Sequence, residues 1–135
     1  MDRARVLLAD DRAEFLSLVQ QLLETEFDVI KTFENAEAVV EQVGELNPDL
    51  LVLDITMPGL SGIEAARRLS AGKEKRKIIF LTVHKDPDYL RSALAVGALG
   101  YVVKDRLASD LIPAMHEALA GRRFVSSTIP QEQNP

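Results

Sequence analysis

Four short apolar runs dominate the chain, and each stops at a polar residue. Leu50-Leu51-Val52-Leu53 is unbroken and gives way to Asp54. Val6 to Ala9 gives way to Asp10-Asp11, Ile78 to Leu81 to Thr82, and Leu99 to Val103 to Lys104. Runs of four or five apolar residues without alternation read as strands covered on both faces, which places them inside a parallel sheet. Phe27 to Phe33 alternates instead and carries Lys31, so it reads as an edge strand.

Helical spacing fills the intervals. Phe15, Leu18, Val19 and Leu22 mark the inner side of a helix from about Arg12 to Glu26. Ala36, Val39, Val40 and Val43 mark a second, ended by Gly44 and Asn47-Pro48. Ser61-Gly62-Ile63-Glu64 has the form of a capping box and opens a third, with Ile63, Ala66 and Leu69 inward. Asp86-Pro87 starts a fourth, with Leu90, Ala93 and Leu94 inward. Leu111, Ala114, Met115, Ala118 and Leu119 define the last; Pro113 predicts that it begins near Ser109 or Asp110 and not at Leu107, because proline fits only the first turn. Strands alternating with helices predict an α/β fold, a doubly wound five-stranded parallel sheet with helices on both faces.

The 135 residues suit one domain, read as 1–122, followed by a polar linker or tail over 123–135. A net charge of −5 argues against a nucleic-acid surface formed by this chain alone. With no cysteine there is no disulfide, thiolate metal site or cysteine nucleophile, which fits a reducing cytoplasm. No apolar run has the length of a membrane span. The basic stretch Gly72 to Lys77 reads as a solvated loop, His84 as a surface loop residue and His116 as an exposed helix position.

An aspartate after a strand is usually a turn former or a helix cap. Here Asp10, Asp11, Asp54, Thr82 and Lys104 all fall at the carboxyl ends of strands of one sheet, where open α/β folds bind ligands. Carboxylates with a nearby backbone carbonyl are hard oxygen ligands that suit Mg²⁺, with Mn²⁺ as a substitute. A lysine and a threonine hydroxyl suit the oxygens of a transferring phosphoryl group, and an ionised aspartate can accept that group itself.

The motifs Leu8-Ala9-Asp10-Asp11, Leu51-Val52-Leu53-Asp54-Ile55-Thr56-Met57-Pro58-Gly59, Leu81-Thr82 and Gly100-Tyr101-Val102-Val103-Lys104-Asp105 together resemble the receiver domain of two-component response regulators. The resemblance covers the chain to about Phe124 and is nearest to the NarL/FixJ type. It implies a flavodoxin-like fold of strand order 2-1-3-4-5. It also implies Asp54 as phosphoryl acceptor and Asp10, Asp11, Asp54 and the Thr56 carbonyl as metal ligands. Lys104 and Thr82 would contact the phosphoryl group, with Thr82 and Tyr101 as switch residues. Val83 stands where receivers commonly have a smaller residue and is expected to border access to the site. The implied partners are a sensor histidine kinase, a second copy of the chain after phosphorylation, and a helix-turn-helix output domain beyond the linker that would carry DNA binding. Two alternatives stay in view. A haloacid-dehalogenase-type phosphatase needs a second aspartate two positions after Asp54, where Thr56 stands. A pseudo-receiver would never be phosphorylated.

Overall fold

The computed structural model of the chain describes residues 3–72, 75–127 and 129. Its elements alternate: β1 (Arg5–Ala9), α1 (Ala13–Leu23), β2 (Asp28–Phe33), α2 (Ala36–Leu46), β3 (Leu50–Leu53), α3 (Gly62–Ser70), β4 (Ile78–Thr82), α4 (Pro87–Ala95), β5 (Gly100–Val103), α5 (Leu107–Leu119) and β6 (Phe124–Val125). All strand pairs are parallel, in the order β2-β1-β3-β4-β5-β6. The doubly wound architecture and the order of its first five strands are those expected; a sixth strand extends the sheet.

Alternate residues of each central strand enter opposite core layers, as a period of two requires. Leu7, Leu51, Leu53, Ile78, Phe80 and Tyr101 pack under α2, α3 and α4. Val6, Leu8, Leu50, Val52, Ile79, Leu81 and Val102 pack under α1 and α5. Every residue of β3 and β4 is buried, which explains why these runs show no polar alternation.

Four local expectations are corrected. The buried stripe of α1 is Leu16, Val19 and Leu23, while Leu18 is 52% exposed. The second helix runs through Gly44 to Leu46 and ends where Asn47 adopts a left-handed φ of 44°. The last helix begins at Leu107, after a 3-10 turn over Lys104–Arg106, and keeps Pro113 in its interior. Ser109 and Pro113 are both exposed, so the break in the helical hydrogen bonding falls on the solvent side of the helix, which limits the cost of the proline.

The fourth correction concerns the tail from residue 123. Phe124 and Val125 pair with Gly100 and Tyr101 on the outer side of β5, and Ile129 is buried in the layer that contains Tyr101. Residues 128 and 130–135 of the expected tail lie outside the described residues, as do Lys73 and Glu74 of the basic loop. Ser126 fixes the segment. Its N–H donates to the Tyr101 carbonyl at 2.9 Å, and its hydroxyl accepts the Val103 N–H at 3.2 Å. That hydroxyl donates to Asp110 at 2.8 Å, and Ser109 and Arg106 also donate to the same carboxylate.

Burial disfavours the Asp110 charge, but the bonds from Ser126, Arg106 and Ser109 outweigh it and hold the carboxyl below its ordinary 3.8. The stability Asp110 lends is therefore full above 3.8 and drains away as pH falls through its lower native value. Ser126→Ala should cost about 1–3 kcal/mol near neutral pH, since it removes one donor from a buried carboxylate. Urea denaturation should find a smaller deficit in acid; an equal deficit at both pH values would count against the carboxylate as its source.

A candidate acidic site at the carboxyl ends of the strands

Parallel pairing sets the site. Ala9 and Leu53 are register partners on the neighbouring strands β1 and β3, so the next residues, Asp10 and Asp54, leave the sheet side by side. Asp54 N–H donates to the Ala9 carbonyl at 2.9 Å, and Asp10 N–H to the Phe33 carbonyl at 3.0 Å. Past the end of β5 stands Lys104. Its ammonium lies 2.6 Å from Asp10 Oδ2 and 3.3 Å from Asp54 Oδ2. All three side chains are largely shielded, at 11% exposure or less.

Asp11 is exposed, yet its carboxylate joins those of Asp10 and Asp54 in a cluster whose ligand atoms lie within 4.8 Å of one another. Asp10 also accepts the Arg12 N–H at 2.9 Å, turning the chain into α1. Burial raises the Asp54 carboxyl above its ordinary 3.8; Lys104 opposes the rise and Asp10 adds to it. Asp54 Oδ1 is buried without a hydrogen-bond partner. An orphaned carboxylate oxygen is costly. Three carboxylates against one ammonium leave two negative charges unbalanced, and the donor set is entirely hard oxygen. These residues fit a small divalent cation of the Mg²⁺ type.

The expected switch residues lie on the strands β4 and β5. Thr82 is fully buried at the end of β4 and accepts the His84 N–H at 3.3 Å. Tyr101 is fully buried, and its hydroxyl donates to the His84 carbonyl at 2.9 Å. Burial pushes the Tyr101 phenol well up, and Tyr89, Asp86 and Asp54 add to the effect. Val83 is 61% exposed and borders a small cavity of about 190 Å³ with Lys85, Val103, Lys104 and Asp105.

His84 has a larger part than a surface loop residue. It is half-buried, its Nε2 lies 2.6 Å from the Thr56 hydroxyl, and its ring stacks on Tyr89 with centroids 4.0 Å apart. It therefore ties the loop after Asp54 to the loop after Thr82. Neither this bridge nor the hydroxyl role of Thr56 has a signal in the sequence, because the two residues meet only when β3 and β4 are adjacent. Phe15 is a second unanticipated neighbour: its ring lies under the Lys104 ammonium, 4.4 Å from Nζ to centroid.

The loop between Asp54 and α3 is compact. Ser61 caps α3 by accepting the Glu64 N–H at 3.1 Å, and Gly62 N–H donates to the Ile55 carbonyl at 2.7 Å. A cap and a close backbone contact thus hold the helix start against the residues that carry the site.

The model of the response regulator receiver domain matches residues 6–116. The chain is similar to the transcriptional regulatory protein DegU of Brevibacillus brevis, 33% identical over 126 residues, covering 92% of this chain and 53% of that protein. It is similar to the nitrate/nitrite response regulator protein NarL of Escherichia coli K12, 34% identical over 128 residues, covering 93% of this chain and 59% of that protein. The chain thus spans little more than half the length of these relatives. Among solved structures, the isolated REC domain of RcsB from Salmonella enterica serovar Typhimurium, in the presence of the phosphomimetic BeF3⁻, superposes with a TM-score of 0.87. The two share 26% identity, and the match covers 95% of this chain and 96% of that one.

Proposed function

The chain belongs to the response regulator receiver domain family, of the NarL and LuxR type, and from that premise we propose that it is a switch operated by phosphorylation of Asp54. The observation that carries the proposal is the orphaned Oδ1 of Asp54, buried beside Asp10 and Asp11 while Oδ2 faces Lys104. Three features support Asp54 as the acceptor. It is an aspartate at the switch point of the sheet, a lysine ammonium is within reach, and one of its oxygens has no other partner.

In the transfer, a carboxylate oxygen of Asp54 attacks phosphorus. The bond from phosphorus to the donor breaks, and the donor leaves with the electron pair. The donor is the phosphorylated imidazole of a sensor histidine kinase. Lys104 would balance charge on the phosphoryl oxygens, and the Thr82 hydroxyl would contact them. Asp10, Asp11, Asp54 and the Thr56 carbonyl would hold Mg²⁺, which supplies electrostatic stabilisation of the transferring group. Asp11 is the most accessible of these carboxylates. Val83 lines the small cavity beside Lys104, and its branched side chain would narrow an approach to the site from there.

The phosphorylated chain controls an output domain in the cytoplasm, and the charge of this chain leaves DNA contact to that domain. Self-association on phosphorylation would use the outer face of α5. The outer edge of β5 is not available for it, since β6 pairs there.

Magnesium and labelling experiments test the reading. Mg²⁺ should raise the melting temperature of the wild type in a concentration-dependent way, as any ligand of the native state does. In Asp11→Ala the rise should be small. Intact-mass and peptide analysis after acetyl phosphate and Mg²⁺ should find one phosphoryl group, on Asp54. Equal magnesium responses in the two proteins, or label on another residue, would refute the assignment.

A further inference from the structure

The contact between Phe15 and Lys104 assigns a role to an α1 residue that neither the acidic cluster nor the switch residues account for. Lysine carries its charge on a flexible four-carbon stem with freely rotating donors, so its position depends on what surrounds it. Here the ammonium is bounded on one side by Asp10 at 2.6 Å and Asp54 at 3.3 Å. On another side lies the face of the Phe15 ring, at 4.4 Å. Phe15 is itself fixed, half-buried against the core layer under α1 and α5. Next to the pair, Arg12, Glu14, Phe15, Leu18 and Lys104 line a cavity of about 270 Å³, so space exists into which an unrestrained lysine could swing.

The two kinds of contact respond differently to the chemistry. When Asp54 gains a phosphoryl group, or when the carboxylates take a cation, the ion pairs at Asp10 and Asp54 are redrawn. The ring face remains, because its attraction for a cation does not depend on the state of the acids. We infer that Phe15 is a positioning residue for phosphoryl transfer, holding the Lys104 ammonium at the site while its carboxylate partners change. The inference rests on the proposed phosphorylation of Asp54, and its test has an arm independent of that reading.

Phe15→Leu keeps apolar bulk and removes the ring face; Phe15→Tyr and Phe15→Trp keep a face. Thermal melts establish that each variant is folded. Labelling by acetyl phosphate with Mg²⁺ should slow about fivefold in Phe15→Leu and stay within about twofold of wild type in the aromatic variants. The independent arm is proton NMR of the Lys104 ε-methylene, which the ring should shift upfield in the unlabelled wild type, Phe15→Tyr and Phe15→Trp but not in Phe15→Leu. Equal slowing in all three variants would overturn the inference and reduce Phe15 to a packing residue. So would wild-type labelling in Phe15→Leu. If the wild type takes no label, the phosphorylation reading fails, and the methylene shift alone decides: its loss in Phe15→Leu supports the positioning contact, and its persistence overturns it.

Discussion

Asp54→Asn should take no label from acetyl phosphate and should melt at a higher temperature than the wild type in the absence of divalent cations. The first result follows from chemistry: a neutral amide is not the nucleophile that an ionised carboxylate is. Labelling should therefore fall below detection, with the fold intact. The second follows from the electrostatics of the site. Burial raises the Asp54 carboxyl above 3.8 despite Lys104, and Asp10 pushes the same way. Between 3.8 and the raised native value, the folded chain binds more protons at Asp54 than the unfolded chain does. Stability then falls as pH rises through that interval, and above it the full cost of the buried charge is present. Asparagine does not titrate and escapes this cost. Lys104 keeps its other partner, Asp10, at 2.6 Å. The melting-temperature gap between variant and wild type should thus be small in acid and open toward neutral pH. Saturating Mg²⁺ should narrow it, since the wild type gains more from the cation. Melts across pH with and without Mg²⁺ decide the matter; a gap independent of pH would show that the Asp54 charge is not a burden on the fold.

That such a residue can be located from sequence reflects how parallel sheets bury their strands. Leu50 to Leu53 feed alternate residues into two covered layers, so the run is apolar throughout and its end is abrupt. The first polar residue afterwards, Asp54, then marks the rim of the sheet. The same logic locates Asp10, Thr82 and Lys104. It serves less well for α1, where residues 15, 16, 18, 19, 22 and 23 are all apolar. Two overlapping stripes are possible in that pattern, and only packing on the sheet selects Leu16, Val19 and Leu23 over the stripe containing Leu18.

The C-terminal segment escaped for a different reason. Two strand residues are too few for a periodic signal, and Ser126 looks like a solvent residue. It is buried because it mediates between Val103 and Asp110, partners 23 and 16 residues away. His84 and Phe15 are of the same kind, with partners at Thr56 and Lys104 that only the folded sheet supplies. The acids that define the site were legible because they directly follow two apolar strands, Asp10 and Asp11 after β1 and Asp54 after β3. His84 and Phe15 were not, since a residue's proximity to a strand end elsewhere in the chain leaves no mark on its local sequence.

Gly62→Ala should be the most damaging single substitution near the site, although it adds one methyl group and improves helix propensity. A Cβ built at Gly62 would lie 2.0 Å from the Asp54 carbonyl oxygen, 3.0 Å from the Asp54 carbonyl carbon and 3.1 Å from Ile55 Cα. All three are backbone atoms and cannot swing aside as a side chain can. Relief requires either the start of α3 or the end of β3 to move. Moving α3 strains the Gly62 N–H bond to Ile55, 2.7 Å long, and the Ser61 cap. Moving the strand end displaces Asp54 from Lys104 and Asp10. Overpacking of this kind costs about 1–3 kcal/mol and sometimes more, well above the gain of up to about 1 kcal/mol from replacing a helical glycine. Gly44 supplies the control: it lies within α2, and nothing stands within 4 Å of its built Cβ. Gly44→Ala should therefore stabilise by about 0.5–1 kcal/mol. Urea denaturation of both variants should give shifts of opposite sign. Labelling of Asp54 should be slowed in Gly62→Ala, under conditions where that protein is still folded, and unchanged in Gly44→Ala. A Gly62→Ala protein as stable as wild type and labelled at the wild-type rate would mean that the contact between α3 and the Asp54 backbone is looser than its geometry implies.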